Sequence, residues 1–398
     1  MPKIYEPDDL IDDQYRVERR LRGGMSYVYI AHDTVTQKQF ALKSLNDEGS
    51  HAANQTDALN RFEREAVVWV NLDHHPHIVQ AFAFLQRTDP PMLLLEYIDG
   101  PSLSDVFKST RRLNVRQAIR WARQFCDGMH YVHNALLPGG QTGTLHRDIK
   151  PANILITRSG KLKITDFGLA KLQASRVESE TGRFQGTLSF ASPEQLHDAK
   201  HVDRSSDIFS FGIVFYIMLT GRHPFAAESA NAAMEAIQFR EPDWSVVPTP
   251  ALAIVRRCLE KSPLSRLDDF SLIAAELESI ETQLPEVSAD SRCDACGFID
   301  SDGGVCPVCG NQVAGEVTMT YEPASEVDSG PTRKQADDNA INGPGEVCSS
   351  CGARVDTKMS FCRSCGHDLS SVQCIQCGSW NPASNRYCNG CRTSITRN

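Results

Sequence analysis

The cysteines of this 398-residue chain constrain it most, because twelve of the fourteen lie between Cys293 and Cys391, all in C-x-x-C pairs. The pairs are Cys293 with Cys296, Cys306 with Cys309, Cys348 with Cys351, Cys362 with Cys365, Cys374 with Cys377, and Cys388 with Cys391. Nine residues separate the first two pairs, and ten separate the pairs within each of the other two sets. Two such pairs supply four thiolates, the donor set of tetrahedral Zn²⁺ with Zn–S near ~2.3 Å. Glycine follows the second cysteine at Gly297, Gly310, Gly352, Gly366 and Gly378, where a turn lets backbone N–H groups face sulfur. The last two sets repeat at an interval of 26 residues. Each set holds few large apolar residues, so its folding is expected to depend on the metal. Neighbour pairing is the simplest ligand assignment, with cross-bracing within 348–391 as the alternative. Iron or disulfides are the rival fates of the thiols, and a reducing compartment argues against the second.

The rest of the chain is different in kind. Only Cys126 and Cys258 precede residue 290, and both read as packed small hydrophobes. Hydrophobic residues make up 41% of the chain, enough for a sizeable core, and the length fits two or three domains. A net charge of −9 argues against a polybasic nucleic-acid or membrane binder. The start, Met1 to Glu6, has no apolar core of signal-peptide length. The longest apolar run, Phe211 to Leu219, is far short of the ~20 residues of a spanning helix and reads as core. The expectation is a soluble, cytoplasmic protein without a membrane partner.

Partial alternation predicts strands over Tyr15 to Leu21, Tyr27 to His32 and Gln39 to Leu45, and an apolar strand over Leu93 to Tyr97. Residues 56–72 read as a helix, with Leu59, Phe62, Ala66 and Trp69 on one face, and helical patterns dominate from Val115 onward. A small sheet followed by a larger helical region fits a two-lobed α+β protein.

Several motifs lie in order on this frame: RLRGGMSYV (Arg20 to Val28), FALK ending at Lys43, HRDIKPAN (His146 to Asn153), Asp166-Phe167-Gly168, Ser192-Pro193-Glu194 and DIFSFG (Asp207 to Gly212). Together they resemble the eukaryotic-type protein Ser/Thr kinase family, in the short style of its bacterial members. The resemblance implies a bilobal kinase fold, ATP with Mg²⁺ or Mn²⁺, and protein substrates. It makes Lys43 the phosphate-contacting lysine and Glu65 its helix partner, with Glu63 as the rival. It makes Asp148 the base, Lys150 the group that neutralises the γ-phosphate, and Asp166 and Asn153 the Mg²⁺ ligands. Leu21, Gly23, Gly24, Ser26, Val28 and Ala41 would cover the nucleotide. Leu95 would guard the adenine site, with Glu96, Tyr97 and Ile98 as the hinge. Glu194 with Arg266, and Asp207, are implied as structural. The D-x-K-P-x-N form, with Thr187 near the base, implies Ser/Thr specificity.

The glycine loop departs from the family pattern. Aligned on Val28, its three glycine positions hold Leu21, Gly23 and Ser26. That puts nucleotide affinity in question, since glycine permits close backbone approach to phosphates. Residues 135–144 read as an extra loop. His74, His75 and His77 look like a metal cluster but match the family's H-P-x-I-V turn. Arg147 beside Asp148 implies activation by a phosphate within 169–191, at Ser179 or Thr181, paired with Arg147 and Lys171.

The cysteine sets resemble zinc ribbons, the last two a double zinc ribbon. The domains expected are a kinase domain at 15–282, a zinc ribbon at 290–312, a flexible acidic linker at 313–346 and a double zinc ribbon at 347–398. Residues 347–398 carry six Lys/Arg against two Asp/Glu. Eight thiolates and two Zn²⁺ bring the formal charge to about zero, a poor phosphate binder. Partner recruitment or homodimerisation is therefore expected of the ribbons rather than nucleic-acid binding. The alternative to an enzyme is a pseudokinase scaffold, against which the complete catalytic set argues.

Overall fold

Alternation along the early strands sorts side chains between two faces of one sheet. The strands are β1 (Leu10–Ile11), β2 (Tyr15–Arg22), β3 (Ser26–Asp33), β4 (Gln39–Leu45), β5 (Ala81–Leu85) and β6 (Met92–Glu96). They form an antiparallel sheet of order β1-β2-β3-β4-β6-β5. Tyr27, Tyr29 and Ala31 of β3 pack on one side with Tyr5, Ile11, Tyr15, Leu42 and Leu94. Val28 and Ile30 point the other way, into a cavity. Register then decides what shares that face: Val28 pairs with Lys43, Ile30 with Ala41, and Ala41 with Leu95. The strand expected to end at Tyr97 stops at Glu96, and β4 runs from Gln39 to Leu45 as the alternation predicts.

The computed structural model describes residues 3–22, 26–45, 62–63, 66–110, 112–137, 139–140, 142–167, 189–198, 202–285, 293–298, 304–309, 311–313, 371–373 and 380–382. Helix α1 is described at 62–63 and 66–70. Phe62, Ala66 and Trp69 are buried there as their spacing predicts. Then come α2 (Leu103–Ser109), α3 (Val115–Asn134), the hairpin β7 (Ile154–Ile156) and β8 (Leu162–Ile164), α4 (Pro193–His197), α5 (Arg204–Thr220), α6 (Ala230–Phe239), α7 (Thr249–Cys258) and α8 (Phe270–Gln283). Ser102 starts α2 with a capping box, and Asp203 caps α5.

Helix α5 is buried from Ser205 to Leu219 and forms the axis of the helical lobe. Phe125 of α3 stacks on Phe211 of α5 at 5.0 Å. The apolar run is therefore core, and no described helix is long and apolar enough to cross a membrane. Cys126 and Cys258 are buried free thiols, and burial pushes Cys258 up to about 12, as expected of packed hydrophobes. Among the described residues of 135–144, Leu136 bridges antiparallel to Thr142.

Glu194 and Arg266 close the helical lobe with a two-pronged ion pair, Nη1–Oε1 at 2.6 Å and Nη2–Oε2 at 2.9 Å. The guanidinium also donates to the carbonyls of Ser205, Glu260 and Lys261. Burial alone would raise the Glu194 carboxyl. The hydrogen bonds from Arg266 and Ser206 outweigh it and hold the group below its ordinary range.

Two histidines make the fold acid-sensitive. Burial lowers His223 to about 4; its Nδ1 accepts from the Phe225 amide and its Nε2 bonds the Ser189 carbonyl, as a neutral ring does. Burial lowers His75 to about 4 as well, and His77 and His74 lower it further. The unfolded chain then takes up protons that the native state does not. This stability is full above the ordinary histidine value of ~6.5 and is lost as pH falls toward about 4. Thermal melts from pH 7 to pH 4 should show a falling midpoint, and His223→Gln should flatten that fall. An unchanged slope would contradict the assignment.

The chain divides into two units, Met1–Glu326 and Val327–Asn398. In the second, Ser371–Gln373 (β11) pairs antiparallel with Trp380–Pro382 (β12). The first cysteine set belongs to the first unit. Its hairpin, β9 (Gly304–Val305) with β10 (Gln312–Val313), is accompanied by a docked aromatic, Phe298, which packs on Trp121 of α3 at 5.6 Å.

Candidate functional site

The HRDIKPAN segment is a loop held from beneath by one buried carboxylate. Asp207 on α5 accepts from the backbone amides of His146 and Arg147, each at 2.8 Å, and meets His133 Nε2 at 2.8 Å. Burial alone would raise Asp207, but the His133 contact, together with the nearby His146 and its amide, holds it below the usual carboxylate range. This anchoring offsets real strain at Arg147, which has φ +61, while Asp166, with φ +64, is gripped by Lys43; neither is a glycine. Such conformations cost roughly 1–3 kcal/mol each and persist only where the surroundings over-determine them. His146 is fully buried, and burial keeps it neutral. Its Nε2 bonds the Thr165 carbonyl at 3.0 Å and its Nδ1 accepts from the Asp148 amide at 3.3 Å. The His146 ring also packs on Phe167 at 4.9 Å, and Phe167 on Trp69 of α1 at 5.3 Å. One aromatic row thus joins the loop, the Asp166-Phe167 segment and α1.

Asp148, Lys150 and Asn153 converge. Lys150 Nζ donates to Asp148 Oδ2 at 2.8 Å. Asn153 Nδ2 donates to the Asp148 carbonyl at 2.8 Å and to its Oδ2 at 3.1 Å. The 3₁₀ turn Pro151–Asn153 makes this contact by bringing Asn153 back over the loop.

Lys43 reaches down from β4 to Asp166, Nζ to Oδ1 at 2.7 Å. Glu65, read as the partner of Lys43, lies outside the described residues. So do Gly23, Gly24, Gly168 and the segment 168–188, with Lys171, Ser179, Thr181 and Thr187. Ser26 is placed by its backbone, in β3.

A cavity of about 620 Å³ lies between sheet and helical lobe. Its walls include Leu21, Val28, Ala41, Lys43, Leu95, Glu96, Ile98 and Asp166, which the motifs single out. Other wall residues carry no such signal. Leu155 is an ordinary apolar residue of β7, and Val79 belongs to the turn after α1. The hinge side is tightly packed: a Cβ on Gly100 would lie 1.9 Å from the Ile156 carbonyl oxygen, so only glycine fits there.

The first cysteine set closes as the spacing requires. Cys293, Cys296, Cys306 and Cys309 bring their sulfurs within 4.8 Å of one another, with Cys293–Cys309 at 3.3 Å and Cys296–Cys306 at 3.5 Å. A tetrahedron with Zn–S of ~2.3 Å has edges of about 3.8 Å, so the four fit Zn²⁺. Gly297, at φ +68, turns the knuckle so that its amide reaches the Cys293 carbonyl at 2.7 Å. Burial pushes the Cys306 thiol up to about 11, and a bound cation would hold it as the thiolate. Cys348, Cys351, Cys362 and Cys365 lie outside the described residues, and so do Cys374, Cys377, Cys388 and Cys391.

Two protein families match the chain. The protein kinase domain family matches residues 15–277, and the double zinc ribbon family matches residues 348–392. The serine/threonine-protein kinase PknA of Corynebacterium glutamicum is 33% identical over 334 residues, covering 81% of this chain and 68% of its own. Serine/threonine-protein kinase A of Synechocystis is 35% identical over 290 residues, 69% of this chain and 54% of its own. PrkC of Bacillus subtilis, a serine/threonine-protein kinase, is 31% identical over 275 residues, 68% of this chain and 41% of its own. The chain spans about half the length of several of these relatives, between 41% and 68%. With its bilobal body, its ordered motifs and this match, the chain belongs to the protein kinase family and carries a double zinc ribbon at its C-terminal end.

Proposed function

We propose that this chain is a serine/threonine protein kinase that transfers the ATP γ-phosphate to protein hydroxyls. The observation that carries the reading is the Asp148 carboxylate, pinned by Lys150 and Asn153 in a loop tied to buried Asp207. Phosphoryl transfer asks a protein for positioning and charge neutralisation more than for covalent help. Asp148 orients the substrate hydroxyl and takes its proton as oxygen attacks the γ-phosphorus. The bond to the β-phosphate oxygen breaks and ADP leaves. Lys150 sits on the same carboxylate and offers its charge to the phosphoryl group in transit. Lys43 holds the phosphates from above.

Asn153 turns its amide nitrogen to Asp148, which leaves the side-chain Oδ1 as a hard donor. Together with the Asp166 carboxylate it would hold Mg²⁺, a hard ion that prefers oxygen ligands. When bound, Mg²⁺ neutralises charge between the β- and γ-phosphates. The family resemblance of Asp148-x-Lys150-Pro151-x-Asn153 supports Ser/Thr over Tyr, and the names of the relatives support the same class. Arg147 supports activation by a phosphate in 169–191. The ligand spacing of Cys348, Cys351, Cys362 and Cys365, and of Cys374, Cys377, Cys388 and Cys391, supports one Zn²⁺ in each set. The near-neutral double ribbon supports recruitment of a protein partner or a second copy. A zinc-ligating cysteine set such as Cys293, Cys296, Cys306 and Cys309 supports a reducing, cytoplasmic setting.

The test is incubation of the intact chain with γ-labelled ATP, Mg²⁺ and an acceptor such as casein, followed by phosphoamino-acid analysis. Phosphoserine and phosphothreonine are expected. Label on tyrosine alone, or none at all, would overturn the reading.

A further inference from the structure

We propose that the knuckle Cys293–Cys309 is the outer wall of the nucleotide pocket, so that its docking and nucleotide binding stabilise each other. This rests on the reading of the cavity as the nucleotide site. Val308 and Cys309 line that cavity together with Ser102, Asp105 and Arg158. Val308 is buried, at 6% exposure, although it stands between two cysteines on a short hairpin. A free-standing ribbon would leave such a valine in water.

Two contacts hold the knuckle in place, tied together by a third between their partners. Phe298, 1% exposed, packs on Trp121 of α3. Trp121 Nε1 donates to the Gly160 carbonyl at 3.0 Å, which fixes the β7–β8 turn beneath the knuckle. Gly160 itself faces the Cys296 carbonyl, where a Cβ would come within 2.4 Å. The same turn reaches the hinge: Arg158 Nε meets Asp99 Oδ2 at 2.6 Å, and the Arg158 amide donates to the Asp99 carbonyl at 3.2 Å. The knuckle is thus continuous with the segment after the hinge, whereas Lys43 and Asp166 mark the phosphate end. It borders the nucleoside end and covers its apolar surface with Val308.

Coupling of this kind is reciprocal. Whatever factor the docked knuckle adds to nucleotide affinity, bound nucleotide returns to docking. The zinc knuckle is then part of the catalytic body rather than of a recruitment tail.

The experiment uses the full chain with Zn²⁺ in place. ADP–Mg²⁺ affinity is measured by calorimetry for wild type, Phe298→Ala, which removes the docking aromatic, and Val308→Asp, which puts a charge into the wall. Zinc content and the melting midpoint of the kinase body are checked for each. Hydrogen exchange of the 293–309 peptides is followed with and without ADP–Mg²⁺. The expectation is about five- to tenfold weaker ADP binding in both variants at unchanged zinc content, and slower exchange of 293–309 in wild type when ADP is added. Unchanged or tighter affinity, with exchange indifferent to ADP, would overturn the proposal. Should Phe298→Ala fail to fold, Val308→Asp and the exchange experiment decide alone. If wild type itself binds no ADP–Mg²⁺, the nucleotide reading of the cavity falls as well, a separate outcome from equal affinities in all three proteins.

Discussion

Asp148→Asn is expected to cut phosphoryl transfer by about 10²–10⁴-fold, the range of a positioned general base. Nucleotide affinity should stay within about twofold, because the change acts on a group made for the transition state. The substitution keeps the side chain's shape, so loop geometry should survive. What it removes is the proton acceptor and the negative partner of Lys150. Single-turnover rates with saturating ATP, paired with ADP calorimetry, separate the two effects. A rate within about tenfold of wild type would contradict the role given to Asp148.

Arg266→Ala should be the most damaging single change to stability, by about 3–5 kcal/mol, the cost of leaving a buried charge without its partner. The arginine side chain is 0% exposed and Glu194 only 19%. Its removal strands the carboxylate and three carbonyls in the core of the helical lobe. The pair joins α4 to the turn before α8, so the change should lower the melting midpoint by roughly 10 °C. Because the folded Glu194 carboxyl is depressed, the stability it contributes is present above the ordinary Glu value of ~4.3. It is lost as pH falls through the lower folded value. The gap between wild type and Arg266→Ala should therefore narrow at low pH. Loss of less than about 1 kcal/mol would show the pair to behave as a surface contact.

Much of this site could be read before the structure, for a physical reason. Strand alternation in Tyr27 to His32 is local, and it already separates Tyr27 and Tyr29 from Val28 and Ile30. The register of β3 on β4 then carries Val28 to Lys43 with no further information. The loop motif is equally local, since Asp148, Lys150 and Asn153 meet within one turn of chain. The docking of the first knuckle was not legible. It depends on one aromatic, Phe298, in a polar stretch with no period, meeting Trp121 from far earlier in the chain. A count of apolar residues in the ribbon says that metal is needed, not that the ribbon has a neighbour. Leu155 and Val79 escaped for a similar reason: each is an ordinary apolar residue whose place on the cavity wall is set by packing between lobes. The expected partnership of Lys43 with Glu65 falls on a residue outside those described, while the contact of Lys43 with Asp166 lies within them.

Transfer from ATP–Mg²⁺ to a Ser/Thr acceptor, measured side by side for the intact wild-type chain, Lys43→Met and Asp148→Asn, decides whether Lys43 and the Asp148 loop carry the reaction. Transfer by wild type is expected, with its near-abolition in both variants while all three remain folded. Wild-type rates in both variants, or no transfer from a folded wild-type chain phosphorylated in 169–191, would contradict it.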